Sequence, residues 1–107
     1  MSVSQSEKAE KFDALHTGSG AFVVANVFDA GSARIVSGLG FKAVATSSGG
    51  FAGTIGRRDG LISRDEAIEH GRVVVDATDL PVSADLENGF SDAPEAVAET
   101  VRRTAET

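Results

Sequence analysis

Three short apolar runs, at residues 21–27, 41–46 and 82–86, each give way to a segment of helical period, and no other feature constrains the fold as strongly. A strand buried on both faces reads as a continuous apolar run, and Ala21-Phe-Val-Val-Ala-Asn-Val27 has that character. The connections between the runs are long enough for helical crossovers, which suit parallel pairing and a right-handed path. The chain therefore reads as α/β, with helices packed on an open parallel sheet.

The intervening segments predict where the helices start and stop. Ala9, Phe12 and Leu15 recur at intervals of three, so residues 6–17 predict an amphipathic helix behind a disordered tip at residues 1–5. Asp29 or Ser32 opens a second helix, with Ala33, Val36 and Leu39 on its inner face and a stop at Gly40. Residues 47–60 are Gly-rich and end in Arg57-Arg-Asp-Gly60, which predicts a long loop closed by a turn. Ser63 with Glu66 forms a capping box for a helix running to about Thr78. Ser91 or Asp92 opens the last helix, with Pro94 in its first turn and Ala93, Val97 and Val101 on one face.

Composition excludes several classes of function. The net charge of −6 arises from 16 acidic and 10 basic residues with no Lys/Arg block, so nothing drives counterion release from a nucleic acid. The six Phe come without Trp or Tyr, which suits packed layers better than a base-stacking surface. The absence of Cys rules out disulfides, thiolate metal sites and a Cys nucleophile within these residues, and suits a reducing compartment. The Met1-Ser-Val-Ser-Gln-Ser-Glu start has no basic or apolar signal region, and no run approaches about 18 apolar residues. A cytoplasmic protein without membrane contact is the expectation.

Three groups that could carry chemistry follow strand ends, the edge where α/β folds bind ligands. The first is Asp85 and Glu87, which would point the same way from a strand end before Asn88-Gly89 turns. Two carboxylates with vacant neighbouring positions suit Mg²⁺, which holds few protein ligands; a solvated strand end is the alternative. The second is Thr46-Ser-Ser-Gly-Gly50, whose small residues let N–H groups approach a carboxylate or phosphoryl group; a flexible loop is the alternative. The third is Asp59, in a turn that needs no catalytic explanation. Asp29 reads as a helix cap, and His16 and His70 read as surface or packing residues.

In order and spacing, Asn26-Val-Phe-Asp-Ala-Gly-Ser-Ala-Arg34, Gly40-Phe-Lys-Ala-Val-Ala-Thr-Ser-Ser-Gly49, Gly56-Arg-Arg-Asp-Gly60 and Leu80-Pro-Val-Ser-Ala-Asp-Leu-Glu-Asn-Gly89 resemble the isocitrate lyase/phosphoenolpyruvate mutase superfamily. The resemblance implies an N-terminal helix plus the first three βα units of a (β/α)₈ TIM barrel. It also implies a Mg²⁺ enzyme that makes or breaks a C–C or P–C bond of a 2-oxo or 2-hydroxy acid through a pyruvate-like enolate. By this resemblance Asp85 is the direct Mg²⁺ ligand, Glu87 an acid reaching the metal through water, and Asp59 another outer acid. Ser47, Ser48, Gly49 and Gly50 cover the substrate carboxylate clamp, with one residue of latitude in register. Mg²⁺ would then act as a Lewis acid stabilising the enolate.

Such a barrel needs about 250 residues, and this chain has 107. The family's further Glu metal ligand, its gating loop and a general acid or base are not found here, so the chain is expected to be inactive alone. Full-length relatives are expected to be homo-oligomers. Two other readings remain: a noncatalytic partial barrel that associates through the open edges of its sheet, and an acidic doubly wound signalling domain with paired Asp residues.

Overall fold

The computed structural model of this chain describes residues 3–107. The elements run α1 (Gln5–Thr17), β1 (Val24–Asn26), α2 (Ala30–Gly38), β2 (Ala43–Ala45), α3 (Ser48–Thr54), α4 (Arg64–Ala77), β3 (Val82–Ser83) and α5 (Pro94–Thr104). The strands form one parallel sheet in the order β1-β2-β3, so each strand neighbours its successor through a helical crossover. This is an N-terminal helix followed by three βα units, as the alternation of apolar runs predicts. No helix among the described residues is long and apolar enough to cross a membrane.

The strands are shorter than the apolar runs. Val24 pairs with Ala43 and Val44 with Val82, which places Ala25, Val44 and Val82 on one sheet face and Asn26, Ala45 and Ser83 on the other. The first face carries the main core, where Val27, Ala33, Val44 and Val74 are fully buried and Val36, Ala77, Leu80 and Val82 pack around them. Central β2 is buried as expected. β1 is not, because it has a neighbour on one side only: Val24 is 37% exposed, and Val23 just before it 67%.

Helix starts were the most legible feature. Ser63 and Glu66 exchange side-chain and backbone hydrogen bonds at the start of α4, and Asp29 caps α2 with Ser32 reciprocating. Four expectations are corrected. Residues 1–5 are not a uniform disordered tip, since Ser4 caps α1 with Glu7 and Gln5 is helical; Met1 and Ser2 lie outside the described residues. The loop expected at residues 47–60 contains α3, which Ser47 caps by accepting from the Gly50 N–H. Leu39 and Val101, expected on inner faces, are 70% and 56% exposed. The last helix begins at Pro94 without a side-chain cap, and Thr100 is its buried residue.

Candidate metal and carboxylate site

All three strand ends contribute to one edge of the sheet. Asn26, the last residue of β1, donates from Nδ2 to the Thr46 carbonyl oxygen at 3.3 Å. Thr46 is buried just past β2, and its Oγ1 accepts from the Asp85 N–H at 2.8 Å, fixing the backbone that follows β3. Ser48, the first residue of α3, donates to Asp85 Oδ2 from its N–H at 3.0 Å and its hydroxyl at 2.9 Å. Asp85 Oδ1 accepts from the Glu87 N–H at 3.0 Å.

These bonds set both the charge and the free valence of Asp85. The Ser48 N–H, then the Glu87 N–H, hold its carboxyl below the ordinary aspartate value, with the Ser48 hydroxyl adding to the lowering and partial burial opposing it. A carboxylate offers about four lone-pair sites. Oδ2 accepts two bonds and Oδ1 one, so Oδ1 keeps the free acceptor direction. An ionised oxygen with a spare lone pair is the hard donor that Mg²⁺ prefers.

Asp85 and Glu87 do not share a strand face as expected. β3 ends at Ser83, and the Glu87 N–H turns back onto Asp85 Oδ1. Glu87 has φ 51 and Phe90 φ 62, so two non-glycine residues occupy the left-handed region within this turn. Such conformations cost on the order of 1–3 kcal/mol each and cluster at ligand sites. The downstream end is held by buried Thr100, whose hydroxyl donates to the Gly89 carbonyl at 2.8 Å.

The glycines are placed by their neighbours. A methyl group on Gly49 would lie 3.1 Å from the Asp59 carboxyl carbon, so Asp59 rests against the start of α3. A methyl group on Gly50 would lie 2.6 Å from the Phe28 ring. The expected clamp is narrowed, because the Ser48 N–H is committed to Asp85 and the Gly50 N–H to Ser47 Oγ. Among the described residues the Gly49 N–H has no partner. No group of three or more His, Asp or Glu side chains converges on one point among the described residues, so Asp85, Glu87 and Asp59 do not form a closed cage.

Sequence reasoning gave no role to Thr100 or Phe28, named Thr46 only as the first residue of a Gly-rich segment, and read His70 as a surface or packing residue, of which packing holds. His70 is buried, stacks on Phe51 with ring centroids 4.1 Å apart, and lies 2.8 Å from the Phe28 carbonyl oxygen. Each of these four residues reads as ordinary strand-end or helix composition until the chain brings its partner close.

Over residues 12–107 the sequence matches the family described as phosphoenolpyruvate phosphomutase. It is 37% identical over 82 residues to 2,3-dimethylmalate lyase of Eubacterium barkeri, an alignment covering 75% of this chain and 28% of that protein. A structure described as a lyase/mutase from Burkholderia cenocepacia superposes with TM-score 0.94 at 53% identity, covering 95% of this chain and 37% of that one. The structure of 2,3-dimethylmalate lyase superposes with TM-score 0.82 at 25% identity, covering 92% and 36%. The chain thus spans about a third of the length of these relatives. Over that span its βα units follow those of the lyases, and the chain belongs to the phosphoenolpyruvate mutase/isocitrate lyase superfamily.

Proposed function

We propose that this chain supplies the metal-holding and carboxylate-anchoring part of a Mg²⁺-dependent lyase or mutase site. The substrate is a 2-oxo or 2-hydroxy carboxylic acid, and the reaction is C–C cleavage or decarboxylation through a pyruvate-like enolate. The observation that carries this reading is the Ser48–Asp85 clasp, which joins the segment after β3 to the start of α3 and leaves Asp85 Oδ1, which accepts only from the Glu87 N–H, with a spare acceptor direction. Asp85 would hold the ion through that oxygen, with Glu87 and Asp59 as outer carboxylates. Mg²⁺ bound there supplies a Lewis acid for a chelating carboxylate and its adjacent oxygen.

The chain's own residues orient the substrate. Within the Ser47, Ser48, Gly49 and Gly50 segment, the donors left to meet a substrate carboxylate are the N–H groups of Ser47 and Gly49 and the Ser47 hydroxyl hydrogen. Ser47 also secures the start of α3 by accepting from the Gly50 N–H. Thr46 holds the Asp85 backbone, so the ligand is positioned before an ion arrives. The names of the lyases with this architecture support a small hydroxy or oxo acid as substrate.

The test is calorimetric titration of Mg²⁺ and oxalate, a mimic of the pyruvate enolate, into the chain and its Asp85→Ala variant. Each ligand should tighten the other in the wild type, with at least a tenfold loss in the variant. A wild-type chain indifferent to both would overturn the proposal. The free outer edges of β1 and β3 favour a second reading, a noncatalytic partial barrel that associates through them. That reading expects concentration-dependent sedimentation and no Mg²⁺–oxalate coupling.

A further inference from the structure

We propose that Phe28 is a specificity-determining residue of this site, an apolar wall that receives an alkyl substituent of the substrate; the inference rests on the function proposed above. Phe28 lies just beyond β1, at the same sheet edge as Thr46 and Asp85. Its ring lies directly over Gly50, the position where a methyl group would come within 2.6 Å of Cδ1 and Cε1. Gly50 is two residues from Ser48, which holds Asp85.

The backbone of Phe28 is fastened on both sides. Its N–H donates to Ser32 Oγ at 2.9 Å, and its carbonyl oxygen lies 2.8 Å from His70 Nε2. A carbonyl can only accept, so Nε2 carries the proton and donates. His70 is itself buried and stacked on Phe51, the residue after Gly50. The β1–α2 junction, α3 and α4 therefore meet around Phe28.

Its exposure contrasts with this fastening, since Phe28 remains 41% exposed. An aromatic side chain on a pinned backbone, partly open to solvent over Gly50, offers apolar area at little ordering cost. It brings no charge and no donor to the site, so it favours a methyl or larger alkyl group over a polar one. One methylene in an enclosed apolar pocket is worth about 10–200-fold. An open wall gives less, and about three- to tenfold is expected for two methyl groups.

The experiment compares pyruvate with 3-methyl-2-oxobutanoate, which share the 2-oxo acid head and differ by two methyl groups, binding to the full chain in saturating Mg²⁺. The branched acid should bind about three- to tenfold tighter. Its methyl protons should also give nuclear Overhauser effects to the Phe28 ring. Phe28→Ala should bring the affinity ratio to about one, and Phe28→Tyr should preserve it. Equal affinities in the wild type, a preference that survives Phe28→Ala, or methyl contacts only to other side chains would overturn the proposal. If Phe28→Ala does not fold, the wild-type ratio and the Overhauser contacts decide. Mg²⁺–oxalate coupling without the alkyl preference sinks this inference alone; absence of all binding sinks the proposed function with it.

Discussion

Gly50 shows how closely the site is packed at the level of single residues. An added methyl would lie 2.6 Å from the Phe28 ring while the Gly50 N–H caps onto Ser47 Oγ, so a larger residue forces the ring or the start of α3 to shift. Gly50→Ala should cost about 1–3 kcal/mol, the range for overpacking, read as a lower urea midpoint at unchanged slope. Gly89 is bound twice over, by φ 82 and by Val97, whose Cγ1 and Cγ2 lie 2.6 and 2.9 Å from where its methyl would sit. The sequence pointed to Asp85, Ser48 and Asp59 through residue type and position. It did not show that Ser48 and Asp85 bond each other, because they are 37 residues apart. Nor did it show the chain turning already at Glu87, whose N–H folds back onto Asp85 Oδ1, since the turn was expected only at Asn88-Gly89.

At the level of elements, the caps explain why α2 and α4 begin where they do. Glu66 receives the Ser63 N–H and a bifurcated contact from Arg57 Nη1 to both its oxygens, and the first of these does most to hold its carboxyl below the ordinary value. A carboxylate whose pKa is lowered by folding contributes stability above its unfolded value, about 4.3, and loses it as pH falls through the folded value. The stability gap between wild type and Glu66→Gln should thus be present at pH 7 and narrow as pH falls below about 4.3, measured by urea unfolding at a series of pH values. Ser63-Arg-Asp-Glu66 made this helix start readable, because its partners are three residues apart. α3 was missed for the opposite reason: Ser48-Gly-Gly-Phe-Ala-Gly-Thr54 has poor helix formers, and its start is secured by Ser47 while its inner face is covered through Phe51 and Ala52.

On the scale of the whole molecule, the parts are unequally tied. β2, α2 and α4 share the main core, whereas α1 has no fully buried residue. It docks through Lys8 Nζ, which donates to the Val75 and Thr78 carbonyl oxygens at 3.0 and 2.7 Å, and through edge contacts among Phe12, His16 and Phe22. Few buried contacts mean a low free energy of local opening. Amide exchange by NMR should therefore find α1 the least protected of the longer helices and β2 with α4 the most protected; equal protection throughout would refute this. By itself the sequence determined the βα order, the parallel sheet and the capped starts of α2 and α4, because period and capping act over a few residues. Only the tertiary structure decided that the Ser48 N–H is committed to Asp85, that Asp85 and Glu87 lie beyond the strand rather than on one of its faces, and that Phe28 stands fastened over Gly50, because those outcomes depend chiefly on contacts between residues far apart in the chain.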